Sequence, residues 1–185
     1  SDFPMHPSCL VRKIENQVSP DAIIALDEGD STLWFMRNFR ARQQRVLVSE
    51  QWRTMGFGLP AAMAAKICYP ERQVIGLTGD GGLGMVLADL LTASRYGLAL
   101  VLIVLNNGFL QMERNKMGTR GLAQEGTAIA NPDFVKLAEA CGWRGCRAQS
   151  PDDVDEFLQA SLTSPQPVLI EVPTAQAVYP DYPVV

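Results

Sequence analysis

The sequence predicts an α/β domain of three layers: a doubly wound, parallel, six-stranded sheet with helices on both faces. Two observations carry this. Six short strand patterns, at residues 22–26, 46–48, 74–78, 100–105, 142–148 and 167–172, alternate with segments of helical period. Between Val74 and Asn107 the order strand, glycine turn, helix, strand is a βαβ unit, whose strands are parallel neighbours with a right-handed crossover. The turns after those strands then share the carboxyl edge of the sheet, where open α/β sheets bind ligands.

Residues 1–7 read as an extended arm. Leu10, Val11, Ile14 and Val18 recur at helical spacing, and Pro20-Asp21 ends that helix. Ala22 to Leu26 is a buried strand that stops at Asp27-Glu28-Gly29-Asp30-Ser31-Thr32, where Asp30 or Ser31 suits the N-cap of a helix over 33–39. Arg37, Arg40, Arg42 and Arg45 have no acid among them; such a run is a solvated face or an anion site. Val46 to Val48 is a strand and Ser49 to Gly56 a loop. Residues 57–68 form a small-residue helix with Pro60 in its first turn, where proline is tolerated. The strand from Val74 stops at Gly79-Asp80-Gly81-Gly82. Leu83, Val86, Leu87, Leu90 and Leu91 then line one face of a single helix, and the strand from Leu100 stops at Asn106-Asn107. Residues 108–117 lie over that edge, and 118–132, polar and glycine-containing, read as a mobile loop or lid. Asn131-Pro132-Asp133 opens a helix to Cys141, with Phe134, Leu137 and Ala138 inward. Ser150-Pro151-Asp152-Asp153 opens another, with Val154, Phe157, Leu158 and Leu162 on one face. After the last strand, the proline-rich tail from Pro173 packs loosely or against a partner.

Two turns carry chemistry. Gly79, Gly81 and Gly82 let the backbone approach a ligand, and the helix N-terminus that follows favours an anion such as a phosphate. Asp80 would repel that anion unless a cation lay between them. Asn107, 27 positions on, brings a neutral amide oxygen to the end of the adjacent strand. One carboxylate, one amide oxygen, a backbone carbonyl and phosphate oxygens make a good magnesium site. Gly79, Gly81 and Gly84 also match the G-x-G-x-x-G of dinucleotide binders. That pattern expects an acidic residue about 20 positions on, and here the second strand ends in two asparagines.

Length and composition set the bounds. A chain of 185 residues has the size of one domain, 1–185, with a full core. Its net charge of −4 gives no reason to expect nucleic acid or an anionic membrane surface as partner. No apolar run approaches the roughly 18 residues of a membrane span. Cys9, Cys68, Cys141 and Cys146 lack metal-ligand spacing and read as reduced thiols of a cytoplasmic protein. His6 is the one histidine, which argues against a histidine-based triad or zinc site.

Gly79-Asp80-Gly81-Gly82, some 25 residues before Asn106-Asn107, resembles the thiamine-diphosphate motif of the pyruvate oxidase, acetolactate synthase and pyruvate decarboxylase group. The resemblance runs from His6-Pro7 through Ser49–Pro60 to Pro167–Glu171. It corresponds to the family's carboxyl-terminal, diphosphate-binding domain. It implies thiamine diphosphate and Mg2+ as cofactors, with Asp80, Asn107 and the carbonyl of Phe109 on the metal. Gly29, Asp30, Ser31, Gly79, Gly81, Gly82, Asn107 and Leu110 are implied around the cofactor. Met55 falls where the family wedges a large aliphatic residue under the cofactor, although methionine is equally an ordinary core filler. Backbone groups of Arg53 and Met55 are implied at the pyrimidine ring, and Arg53 stands where the family often has glycine. Leu110 and Met112 look like the acetolactate synthase branch, while Gln111 replaces a glycine usual there. Glu113 sits at the offset of a glutamate that assists chemistry in the pyruvate decarboxylase branch; its other reading is an ion pair with Lys116 at i+3.

The implied function is one half of a 2-oxo acid decarboxylase, oxidase or acetolactate-synthase-like enzyme. No stretch resembles the family's pyrimidine-binding domain, which a neighbouring subunit usually contributes. The domain alone is therefore expected to bind cofactor weakly and catalyse little, and to work in a homo- or hetero-oligomer, as a separate subunit or as part of a longer enzyme. A second reading is a non-catalytic binding or assembly module that keeps the fold. Asp80, Asn107 and the glycines speak against a decayed site.

Overall fold

Each run expected to form a strand does so. β1 (Ile23–Leu26), β2 (Arg45–Leu47), β3 (Val74–Gly79), β4 (Val101–Asn106), β5 (Arg144–Arg147) and β6 (Val168–Pro173) pair in parallel. The structure is a computed structural model and describes residues 3–179. Among those residues the six strands form one sheet in the order β2-β1-β3-β4-β6-β5. The central strands β1, β3, β4 and β6 are buried nearly end to end, and the edge strands β2 and β5 are partly exposed. Parallel strands covered on both faces read as continuous apolar runs for this reason.

The helices are α1 (Pro7–Gln17), α2 (Asp30–Asn38), α3 (Gly58–Cys68), α4 (Asp80–Gly84), α5 (Asp89–Arg95), α6 (Gln111–Thr119), α7 (Phe134–Ala140) and α8 (Pro151–Ser161). Successive strand residues point to opposite faces, so Ile24, Ile75, Ile103 and Ile170 meet Leu10, Ile14, Phe35 and Leu158 of α1, α2 and α8. Ile23, Leu102, Val104 and Leu169 meet Leu59, Ala62, Leu90 and Phe134 of α3, α5 and α7. Each buried Leu, Ile, Val or Phe among them contributes about 1.5–3 kcal/mol. These two apolar layers make the sandwich expected from the sequence. The chain leaves β1 outward to β2, then returns to place β3 on the other side of β1. The carboxyl ends of β1 and β3 therefore flank the switch point where doubly wound sheets bind ligands.

Four local expectations change. The single helix through Leu83 and Leu91 is two short ones, α4 and α5, joined by turns in which Met85 and Val86 donate to Gly82 and Leu83 at i−3. Gly81, Gly82 and Gly84 are poor helix formers, and Leu91 turns outward as a result of the break. The arm is anchored: Met5 bridges Thr174 beyond β6, is buried, and leads straight into Pro7 at the start of α1. The described part of the tail packs on the chain itself. Ala175 N–H donates to Met5 O, Asn115 Nδ2 donates to Ala177 O, and Tyr179 meets Trp34 edge-on. Residues 180–185 of that tail lie outside the described residues. The segment read as a lid is pinned: Leu110 N–H donates to Thr127 O and Ile129 N–H to Gly108 O around a Phe109–Ala128 bridge.

The arginines do not converge. Arg40 and Arg42 are exposed, while Arg37 and Arg45 lie 5.6 and 5.4 Å over the rings of Tyr179 and Tyr69. Asp133 and Ser150 cap α7 and α8 as their sequence contexts require, Ser150 in a full capping box with Asp153.

Candidate functional site

A cleft of about 560 Å³, counted to its open mouth, lies at the carboxyl edge of the sheet. Its walls are the turn after β1 (Gly29, Asp30, Ser31), the turn after β3 (Gly79, Asp80, Gly81, Gly82) and the segment after β4 (Asn107, Phe109, Leu110, Glu113), with Met55 from the loop before α3. The structure thus brings together every residue that the sequence nominated except Arg53, which lies outside the cleft wall. Arg53 reaches toward Glu28 of the β1 turn at 3.7 Å, and Glu28 does line the cleft. Arg53 has φ +46°, a left-handed conformation that a side chain occupies at a cost of about 1–2 kcal/mol. A position that demands this backbone is one that suits glycine.

Asp80 is 2 % exposed, and both its oxygens are held. Oδ1 accepts from Gly81 N–H at 3.0 Å, and Oδ2 accepts from Gly108 N–H and Asn131 Nδ2, each at 2.8 Å. Burial pushes its carboxyl above the ordinary range, and these hydrogen bonds oppose that rise. Asn107 Oδ1 accepts from Phe109 N–H at 3.0 Å and shapes the turn. The bridge to Ala128 uses Gly108 O and Leu110 N–H, so it makes no use of the Phe109 carbonyl.

The turn glycines differ in why they are glycine. A Cβ on Gly81 would come within 2.8 Å of Leu110, 3.0 Å of Ile129 and 3.3 Å of Met55. A Cβ on Gly82 would meet Thr78 Oγ1 at 2.8 Å and Asp27 Cγ at 2.9 Å. A Cβ on Gly79 would meet nothing within 4 Å, and its φ is −83°, so neither packing nor backbone angle asks for glycine there. Open space at the cleft is what Gly79 preserves, as close approach of a ligand requires.

The β1 turn is less satisfied. Gly29, with φ +135°, is the N-cap of α2 and lends it no side chain. Neither Asp30 nor Ser31 caps the helix: Asp30 Oδ2 accepts from Trp34 Nε1 at 2.7 Å. Among the described residues Asp30 Oδ1 and Ser31 Oγ are buried without a hydrogen-bond partner, as are Gln111 Oε1 and Thr174 Oγ1 on the same cleft. Burial drives the Asp30 carboxyl from 3.8 up to about 6, against the hydrogen bond from Trp34. Glu113 lines the cleft and pairs with Lys116 at 2.7 Å, the ion pair its spacing offered.

Three supporting residues escaped the sequence reading. Asp27, fully buried, accepts from Gly56 N–H at 2.8 Å, Gly58 N–H at 3.2 Å and Thr78 Oγ1 at 2.9 Å, and so ties the Met55 loop to β1 and β3. Asn131 joins Asp80 to Asn106 Oδ1, and Asn106 donates to Glu171 at 2.8 Å. Glu171 is 3 % exposed and accepts from Arg147 at 2.9 Å. An acid ending an apolar strand run, as Asp27 does, or set within one, as Glu171 is, was a visible signal; Asn131 carried none beyond its place before Pro132.

Comparison with known proteins agrees with this geometry. The chain is 34 % identical over 179 residues to the mitochondrial acetolactate synthase catalytic subunit of Aspergillus candidus, covering 93 % of this chain and 26 % of the relative. It is 31 % identical over 180 residues to the acetolactate synthase large subunit of Haemophilus influenzae, covering 94 % and 31 %. The structure of a thiamine diphosphate-dependent 4-hydroxybenzoylformate decarboxylase from Rhodococcus jostii RHA1 superposes with TM-score 0.81 at 30 % identity, over 96 % of this chain and 34 % of that one. The chain therefore spans about a third or less of these relatives. Gly84 does not line the cleft, so the third glycine of the G-x-G-x-x-G spacing takes no part in it. The family model for the thiamine pyrophosphate enzyme carboxyl-terminal, TPP-binding domain matches residues 27–172, and the chain belongs to that family.

Proposed function

We propose that this domain holds the diphosphate of thiamine diphosphate through Mg2+, as one half of an enzyme acting on a 2-oxo acid. The observation that carries the reading is the meeting of three strand-end turns around one cleft, with a buried carboxylate, Asp80, at its floor. The donor set suits the group: Asp80, the Asn107 amide and the Phe109 carbonyl are hard oxygen ligands for Mg2+. Gly79, Gly81 and Gly82 on one side, and Gly29, Asp30 and Ser31 on the other, would border the diphosphate. Met55 and Leu110 meet over Gly81 and would pack under the rings, with the Arg53–Met55 backbone at the pyrimidine end.

When bound, thiamine diphosphate supplies the electron sink for breaking the bond beside a 2-oxo acid carbonyl. The chain's own part is binding and orientation. Asn131 and Gly108 hold the Asp80 carboxylate, Asp27 fixes the Met55 loop, and Glu113 stands at the mouth where a proton would be given or taken. A pyrimidine-binding domain, from another subunit or another part of a longer chain, would complete the site. The relatives' greater length supports that requirement.

The test is calorimetric titration of thiamine diphosphate, with magnesium and with chelator, into the wild type and Asp80→Ala. Magnesium-dependent binding that falls at least about 100-fold in the mutant is expected. Absence of binding at millimolar ligand, with a pyrimidine-domain partner present, would overturn the proposal and favour a non-catalytic module.

A further inference from the structure

The β1 turn places a carboxyl where an anion is to bind. Asp30 begins α2, a nine-residue helix, and lines the cleft. Its Oδ2 is engaged by Trp34 Nε1, and its Oδ1 is buried with no partner among the described residues. Beside it Ser31, 5 % exposed, lines the same cleft with an unpartnered Oγ. Across the cleft the Gln111 amide is locked by donating Nε2 to Asn115 Oδ1 at 2.7 Å, which leaves its buried Oε1 likewise without a partner.

The charged groups around Asp30 are acids or cations already engaged elsewhere. Glu28, Asp80 and Glu113 line the cleft with it. The cations near them are spoken for: Arg53 faces Glu28, and Lys116 pairs with Glu113. Arg37 of α2 lies over Tyr179, and His6, the N-cap of α1, meets Trp34 edge-on, its Nδ1 accepting from Ser8 N–H. Asp27 below is consumed by backbone N–H groups and Thr78. One divalent cation at Asp80 offsets part of a diphosphate, and among the described residues no cation is placed on Asp30. An ionised Asp30 would face the phosphate with an acceptor; a neutral one would face it with a donor.

Resting on the reading of the cleft as a diphosphate site, we propose that Asp30 receives the diphosphate as a neutral acid, giving its Oδ1 proton to a phosphate oxygen beside the Ser31 hydroxyl, so that each binding event takes up one proton at Asp30. Burial has already moved this carboxyl to about 6, so near neutrality the free chain holds it mostly ionised and must protonate it to bind. Binding is therefore limited by the protonated fraction and weakens as pH rises.

The probe is thiamine diphosphate with magnesium, titrated calorimetrically at pH 7.5 in buffers of different ionisation enthalpy. Wild type is expected to take up about one proton more per site than Asp30→Asn, whose amide donates without titrating. Glu28→Gln is expected to keep the wild-type uptake. From pH 6 to 8 the wild-type affinity should fall about fiftyfold more than that of Asp30→Asn, the ligand's own titration being common to both. Equal proton counts, or weaker binding by Asp30→Asn at pH 8, would overturn the role of Asp30 while leaving the cofactor site intact. No binding by either chain would instead defeat the cofactor reading. A ligand-free readout is the Trp34 indole N–H resonance, which should titrate near pH 6 in wild type and not in Asp30→Asn. A wild-type midpoint near 3.8 would also overturn the proposal.

Discussion

The turns after β1 and β3 end neighbouring strands at one edge, and each puts an aspartate into the same cleft, yet they solve burial differently. Asp80 has three donors on its two oxygens, two of them from residues 28 and 51 positions away. Among the described residues Asp30 has one donor, from its own helix, and a bare Oδ1. Desolvation raises both carboxyls. What separates them is compensation: backbone and amide donors favour the ionised form of Asp80, as the metal role proposed for it needs, whereas Asp30 is left to exchange a proton. The contrast shows that a carboxylate's chemistry is set by who donates to it, and burial alone does not decide it.

The glycines offer the hardest way to break this comparison. In Gly82→Ala the new Cβ would press on Thr78 Oγ1 at 2.8 Å and on Asp27 at 2.9 Å, both buried. A loss of about 1–3 kcal/mol is expected by chemical denaturation. Gly79→Ala should change stability by less than about 0.5 kcal/mol while weakening diphosphate binding. Equal stability losses in the two would show that Gly79 is structural after all.

Asp30→Asn sharpens the contrast through pH. A carboxyl raised from 3.8 to about 6 in the folded state binds its proton more tightly there than when unfolded. Its stabilising contribution is complete below about pH 4 and is lost as pH rises through 6. The variant should therefore exceed wild type by about 3 kcal/mol at pH 7.5, and by little near pH 3.5, in denaturant melts. An advantage that grows toward low pH would reverse the sign and remove the argument.

Asn131→Ala strips one donor from Asp80 Oδ2 and one from Asn106 Oδ1. About 1 kcal/mol of stability and about tenfold in magnesium affinity should go with it, read by melting and by calorimetry. Unchanged magnesium affinity would mean that Gly108 and Gly81 suffice to orient Asp80. The smallest effect is expected from Arg53→Gly. It removes the left-handed strain at φ +46° and the distant pairing with Glu28, for a gain of at most about 1 kcal/mol. A loss instead would show that the Glu28 pairing matters more than the backbone.

Local pattern alone dictates the strands, the turns that end them and the residue types offered at the carboxyl edge. Apolar runs, glycines and N-cap residues act through neighbours a few positions away, so they are legible without the fold. Gly79-Asp80-Gly81-Gly82, Asn107 and the Asp133 and Ser150 caps were of this kind. Only the tertiary structure decided the rest. It ordered the strands, split the helix after Gly84, folded residues 127–131 back so that Asn131 reaches Asp80, and tied Met5 and Ala175 together beyond β6. It also gave Asp80 its donors and withheld them from Asp30. Those outcomes join segments tens of residues apart, and the free energy of a buried polar group depends on partners that no local pattern names.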